Sequence, residues 1–348
     1  MALSAHNNSV VFSADIQQAQ AYGNRLLGAI SFDATITPKK PEMGTEMPCI
    51  QVSMPLLSQS ISSCEVWLST GSVSSGRFGE VRYRHDGETL FGVIELAQLP
   101  GSAETLPLQQ ATESAYRQIF ALLDKERFPH VYRFWNYMPD INGFNHGLER
   151  YHLFNIGRQD AFLSSGREVA GSLPAACALG TRNGPLAIAF IAGHTPTLAI
   201  ENPRQIRAYQ YPEQYGPRSP TFSRASLLRH AHEDILLVSG TASIIGHETL
   251  HVGDVLAQTR ETLTNLQAVA MEANRLIDQV KFSLKNMCYR VYVRHASDMP
   301  TIRDEMQRVI KGELQATFIQ ADICRQDLLL EIEASATSLT STTEQPTP

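Results

Sequence analysis

The same succession of strand and helix patterns is written twice in this chain, and that repeat limits the folds open to it more than any other feature. In the first copy residues 90–96 (LFGVIEL) read as a strand, and residues 106–124 carry Leu108, Ala111, Ala115, Ile119 and Leu122 on one helical stripe. Residues 130–137 (HVYRFWNY) alternate as a strand and residues 164–172 form a Gly/Ser-bearing break. Residues 176–193 then close the copy as a hairpin turning at Asn183 and Gly184. In the second copy residues 234–245 read as a strand, residues 254–277 as a helix with Asp254 as its N-cap, and residues 287–295 as an alternating strand. A second amphipathic helix over residues 299–311 follows, and residues 316–334 (ATFIQADICRQDLLLEIEA) close the unit. Strands and helices mixed in this order predict an α+β chain built from two tandem α/β units.

The closing segment of the second copy carries one residue that does not belong there. Leu328, Leu329, Leu330 and Ile332 make a buried-strand run, and Glu331 interrupts it. Strand residues alternate faces, so Glu331 shares a face with Leu329 and Glu333, either at a wet sheet edge or in a pocket. Aligning the two closing strands sets Leu328 against Leu186 and Glu331 against Ala189. A requirement of the scaffold would recur in both copies. This carboxylate does not, which marks it as a candidate site.

The chain of 348 residues is long enough for two domains. The expected division is an N-terminal unit over 1–200 with a variable first part, a unit carrying the carboxylate over 201–335, and a Ser/Thr-rich disordered tail over 336–348. A net charge of −6 argues against nucleic acid or an anionic membrane as partner, since both require a basic surface. The five cysteines have irregular spacing and no CxxC pair, which predicts reduced thiols. With no leader pattern at the N-terminus and no run of membrane-spanning length, a cytoplasmic protein is expected.

The first hundred residues are less legible. Short apolar runs at 9–13 and 26–32, and strand patterns at 50–54 and 64–68, flank a proline-bearing loop at 37–48. Residues 71–79 (GSVSSGRFG) read as a flexible link, and they lack the Lys followed by Ser or Thr of a phosphate-binding loop. Residues 247–251 (HETLH) match the HExxH zinc pattern, which needs a helix to bring both histidines to one face. Gly246 and Gly253 bracket the motif directly after a strand, so a strand-to-helix loop without metal is expected. Arg325 could lower the pKa of a Cys324 nucleophile, but a small packing residue near a pocket is the favoured reading of Cys324.

Residues 201–225 hold four arginines and three tyrosines with no helical or strand period, which suits an ordered loop packed against something anionic. Arg204, Tyr209, Tyr211 and Arg224 in that loop, with Arg150, Tyr151 and Arg158 upstream, offer forks and hydroxyls for carboxylates. Beside one lone carboxylate, they point to a small substrate with two anionic groups and an acid-catalysed step.

Four stretches in this order, RYHLFNIGRQDAF, NPRQIRAYQYPEQYGPRSPTFSRA, SGTASIIGHETLHVGD and ADICRQDLLLEIEA, resemble the chorismatase family, whose members act on chorismate and include 3-hydroxybenzoate synthases. The second unit also resembles the small trimeric reactive-intermediate deaminase fold. The resemblance therefore implies tandem deaminase-like units that imitate part of that trimer within one chain. It places Glu331 at the catalytic acid and Tyr151, Arg158, Tyr211 and Arg224 at substrate contacts. Gly240 and Cys324 fall at pocket positions of members that form hydroxybenzoate. It implies chorismate as the small-molecule substrate and 3-hydroxybenzoate as product, with some 4-hydroxybenzoate possible, and pyruvate released, in aromatic biosynthesis. Neither a metal nor an organic cofactor is implied, and a monomer is expected. Two rival readings are a hydrolytic chorismatase, giving a dihydroxycyclohexadiene carboxylate and pyruvate, and a non-catalytic module that binds a small anion.

Overall fold

The computed structural model describes residues 10–13, 22–32, 47–57, 64–69, 71–97, 107–145, 147–230, 233–277, 279 and 281–339. The first of its three main sheets has four strands: β1 (Val10–Ser13), β2 (Leu26–Ser31), β3 (Cys49–Gln51) and β4 (Cys64–Leu68), in the order β1-β4-β2-β3. These are the four runs picked out in the first part of the sequence. Most of the expected loop over 37–48 lies outside the described residues.

The first repeat begins with β5 (Ser74–Phe78), β6 (Val81–His85) and β7 (Thr89–Leu96), then α1 (Pro107–Glu126) and β8 (His130–Pro139). A small ribbon, β9 (Phe144–Asn145) with β10 (Leu148–Glu149), leads into α2 (Arg150–Ser164), β11 (Ala175–Thr181) and β12 (Leu186–Gly193). The second repeat has β13 (Thr197–Ile200), β14 (Ala225–Arg229) and β15 (Glu233–Thr241), then the ribbon of β16 (Ile244–Ile245) and β17 (Glu248–Thr249). Next come α3 (Val255–Ile277), β18 (Cys288–Val293), α4 (Met299–Ile310), β19 (Ala316–Gln320), β20 (Asp322–Ile323) and β21 (Leu330–Leu339).

The first large sheet runs β20-β11-β8-β12-β7-β6-β5, the second β13-β14-β15-β21-β18-β19. Read from β11 and from β19, the two have one topology, parallel at β11/β8 and β19/β18 and antiparallel at every other step. The repeat in the sequence is thus a repeat in space. Ala189 lies opposite Trp135, and Glu331 lies opposite Tyr292.

The helices cover the outer faces. α1 buries its predicted stripe, Leu108, Ala111, Ala115, Ile119 and Leu122, against Phe134, Ile188 and Phe190. α3 buries Leu266, Val269 and Ala273 against Val291, Leu330 and Ile332, and the Ala257 N–H donates to Asp254 Oδ1 at 2.9 Å as the N-cap requires. The inner faces of both large sheets pack together with the four-stranded sheet around a common core that includes Ile30, Ile50, Val93, Trp135, Ala189, Leu237 and Tyr292. Since Leu330 and Ile332 point to the helices, Glu331 points inward to this shared core.

Four expectations need correction. Residues 176–193 do not form a hairpin, because β11 and β12 flank β8 on opposite sides. The Asn183-Gly184 signal does mark a reversal, with Gly184 at φ +107, but a turn fixes only where the chain reverses and β8 has two edges to satisfy. Residues 71–79 are not a loose link, since β5 pairs with β6 along its whole length. β5 is a sheet edge facing water, so its composition is polar, and Gly76 lets the Tyr83 ring lie where a Cβ would be only 2.5 Å away. The boundary at residue 201 is also displaced: β13 already belongs to the second sheet, and β20 returns to the first. Finally, β21 continues to Leu339, with Ala334 and Ala336 buried under the helices, so the tail begins later than expected. Its Ser/Thr-rich composition concealed a period of two. Residues 340–348 lie outside the described residues.

Candidate active site

Glu331 owes its position to a slip in the sheet. Along β15 and β21, Val238 faces Ala334 but Thr241 faces Ile332, so β15 carries one extra residue at Ser239–Gly240. Such a bulge bends a strand and re-aims what lies beside it. A Cβ on Gly240 would sit 1.9 Å from Glu331 Oε1, so with any larger residue there the carboxyl would have to shift from this position. The bulge is pinned between the repeats: Ser239 Oγ donates to the Ser223 carbonyl at 2.6 Å and accepts from the Ala176 N–H at 2.9 Å.

The carboxyl is 4% exposed. Burial pushes it up to about 8, the neighbouring Glu333 carboxylate adds to the rise, and Arg133 works against it. Glu333, two residues on along the same face, behaves in the opposite way. Burial works to raise it, but Arg133 and Arg290, with hydrogen bonds from groups such as Tyr292, outweigh burial and hold it below the ordinary glutamate value. It accepts from Arg133 Nη2 at 2.5 Å, Tyr292 Oη at 2.7 Å and Trp135 Nε1 at 3.1 Å. Arg290 also pairs with Glu65 from the four-stranded sheet, so all three sheets meet at this network. Two adjacent buried carboxyls are thereby driven apart, one kept ionised and the other neutral near pH 7.

A cavity of about 400 Å³ opens on Glu331 and is lined by Tyr151, Arg158, Tyr211, Arg224, Gly240 and Cys324 as well. The seven residues to which the family resemblance gave a place in the site therefore come together. Tyr151 and Arg158 come from α2, Tyr211 and Arg224 from the long segment between β13 and β14, and the rest from the second sheet and the turn before β21. Arg158 is 2% exposed and lies over the rings of Tyr116, Phe134 and Phe162, at 5.3, 5.6 and 5.6 Å. Arg224 Nη2 donates to Tyr211 Oη at 2.9 Å and to the Ile206 carbonyl at 2.8 Å. The Tyr151 hydroxyl is pushed up by burial, with the nearby Cys324 adding to the rise, so it is a neutral donor.

Cys324 Sγ lies 4.0 Å from Glu331 Oε2. Burial pushes its thiol up to about 12, and Glu331 adds more than Arg325 removes. A thiol held protonated in this way is no nucleophile, which supports the packing reading. Arg325 has another place. It stacks on Tyr215 at 4.1 Å and Tyr211 at 5.3 Å, donates to the His247 carbonyl at 2.8 Å, and lines the cavity. Reading it only as a neighbour of Cys324 missed it, although its position six residues before an inward-facing Glu on a closing segment was the available signal.

Arg150, Arg204 and Tyr209 do not line the cavity. Arg150 Nε donates to the Pro139 carbonyl at 3.1 Å, Arg204 pairs with Glu261 at 2.6 Å, and Tyr209 packs against the core under α1. The HETLH motif spans the β16/β17 ribbon and its exit and forms no helix. His247 Nδ1 meets Tyr215 Oη at 3.2 Å, and His251 lies near Glu261. Among the described residues no group of three or more His, Cys, Asp or Glu side chains could hold a metal ion.

A neutral carboxyl facing three guanidinium groups across a half-apolar cavity can bind a dianion and give it a proton. Comparison with known proteins identifies the family. Residues 65–192 match the family described as chorismatase FkbO/Hyg5-like, N-terminal. The chain is 33% identical over 325 residues to a 3-hydroxybenzoate synthase of Streptomyces hygroscopicus, covering 89% of this chain and 91% of that one. It is 36% identical over 279 residues to a chorismatase of Streptomyces rapamycinicus, covering 78% and 81%. A chorismatase crystal structure superposes with a TM-score of 0.82 at 29% identity, over 96% of this chain and 100% of that one. This chain belongs to the chorismatase family.

Proposed function

We propose that this protein converts chorismate to 3-hydroxybenzoate and pyruvate, with Glu331 as the acid. The observation that carries the reading is the Glu331 carboxyl, buried in a bulge-made niche, pushed up to about 8 and opening on a cavity walled by Arg158, Arg224 and Arg325. Chorismate has two carboxylates, a ring hydroxyl and an enolpyruvyl ether. Glu331 protonates the methylene carbon of that ether, which becomes a methyl group beside an oxocarbenium ion. The ring C–O bond is then weak. The neighbouring ring hydroxyl attacks the ring carbon, pyruvate leaves with the ether oxygen, and the hydroxyl proton returns to Glu331. The strained cyclic ether opens as the ring loses a C–H proton and its oxygen gains one, giving 3-hydroxybenzoate. Opening toward the other carbon gives 4-hydroxybenzoate as a side product. Atoms balance without water, so the cavity has to exclude it.

Tyr151, Arg158, Tyr211 and Arg224 bind and orient the substrate in this reading, Cys324 and Gly240 shape the space around the acid, and no cofactor enters. The five free thiols support a reducing compartment such as the cytoplasm. Among the described residues no helix is long and apolar enough to cross a membrane. Three sheets closing on one another within one chain support a monomer.

The test is to incubate the protein with chorismate, follow pyruvate, and resolve the aromatic acids by chromatography. Equal amounts of pyruvate and hydroxybenzoate are expected. A dihydroxycyclohexadiene carboxylate in place of hydroxybenzoate would mean that water is the nucleophile, and no pyruvate at all would leave a binding module.

A further inference from the structure

α2 presents Tyr151, Asn155 and Arg158 at spacings of four and three residues, which is one stripe of a helix. The outer two line the cavity, and Asn155 lies between them, 1% exposed. Neither atom of its side-chain amide has a hydrogen-bond partner among the described residues. It lies near enough to the Tyr151 hydroxyl to oppose the effect of burial there, yet no hydrogen bond of acceptable geometry forms. Arg158 repeats the pattern one turn later. Its Nε and Nη2 are buried and unpartnered, while its flat faces rest on three aromatic rings. Nε and Nη2 form one edge of a guanidinium, with two parallel N–H bonds spaced to match the two oxygens of a carboxylate.

Burying amide and guanidinium donors without acceptors is expensive, and native interiors satisfy most such groups. Asn136, on the neighbouring strand β8, does so: its Nδ2 donates to the Cys177 carbonyl at 2.7 Å and its Oδ1 accepts from Tyr116 Oη at 2.7 Å. Unmet donors on one helical stripe beside a cavity are the mark of a ligand site. We infer that Asn155 is a substrate-binding residue, donating from Nδ2 to the same substrate carboxylate that the Nε–Nη2 edge of Arg158 grips, so that α2 holds one of the two acid groups through three hydrogen bonds. Arg224 and Arg325, which line the same cavity from other segments, are left for the other. This rests on the reading of chorismate as substrate.

The two products separate the two acid groups, since 3-hydroxybenzoate keeps the ring carboxylate and pyruvate the other. Calorimetric binding of each acid to the full chain tests the assignment directly. Asn155→Ala should weaken one acid about tenfold and leave the other unchanged, and Asn155→Asp should weaken that same acid about a hundredfold by placing a like charge there. The melting temperature of ligand-free Asn155→Leu should not fall, because leucine removes an amide that has no partner in the free protein. Both acids unchanged or weakened alike, or a melting temperature several degrees lower, would overturn the inference. The underlying function is judged separately, on whether the unmodified protein releases pyruvate from chorismate.

Discussion

The two repeats share a topology and differ in the pairing beside the position that Glu331 occupies. In the first, β7 and β12 pair without interruption from Leu96 opposite Leu186 to Thr89 opposite Gly193, and Ala189 fits flat between Val93 and Trp135. In the second, β15 bulges at Ser239–Gly240 and the equivalent position carries Glu331. The unbroken ladder carries only a buried methyl group there. The carboxyl of the second repeat lies beside an extra residue in the facing strand, with a glycine within it. What makes a site of one copy and a wall of the other is the local break in pairing as much as the acid itself.

That contrast can be broken most sharply at the acid. Glu331→Gln keeps the shape and removes the proton, and pyruvate release should fall a hundredfold to ten-thousandfold while calorimetric binding of 3-hydroxybenzoate persists. Full turnover by this variant would return the carboxyl to the scaffold. The converse change, Ala189→Glu, puts a carboxyl into a ladder with no bulge. It should cost about 3 to 5 kcal/mol in urea unfolding, and a stable variant would mean that the bulge is not what admits the side chain.

Gly240→Ala tests the niche itself. Its methyl group should displace the Glu331 carboxyl, lowering kcat about tenfold to a hundredfold and raising the share of hydrolysed product, read on the same chromatogram.

Smaller effects come with pH. With Glu331 as the proposed acid its neutral carboxyl is the working form, so kcat should hold below about 8 and decline about tenfold per pH unit above it. Glu333→Gln removes the neighbouring negative charge and should move this limb to lower pH. Stability has the same sign for this group: a raised carboxyl contributes fully below its ordinary 4.5 and loses that contribution as pH rises through 8. Glu331→Gln should therefore flatten part of the decline in melting temperature toward alkaline pH.

Elements with a strong period were legible in the sequence. The stripe of α1, the cap at Asp254 and the alternation of β8 and β18 follow from local geometry, and each lies close to where it was expected. Glu331 stood out because a charge in an apolar strand run is costly. What escaped depends on neighbours far along the chain. Which edge of β8 would receive β12 is a tertiary choice that the Asn-Gly turn does not encode, and a bulge at Ser239–Gly240 looks in sequence like any Ser-Gly pair. Arg325 and Asn155 are ordinary residues until the cavity gives one a wall to stack on and leaves the other without a partner.

After β19 the chain leaves its own sheet, pairs Ile323 with Leu179 and Asp322 with Gly180 in the other, and comes back one residue before Glu331 through the turn that holds Cys324 and Arg325. The acid thus hangs on a tether anchored in both halves of the molecule. Any rocking of one half against the other would pull on the segment that leads into Glu331, and a protein split between the halves would have to thread that tether back into place.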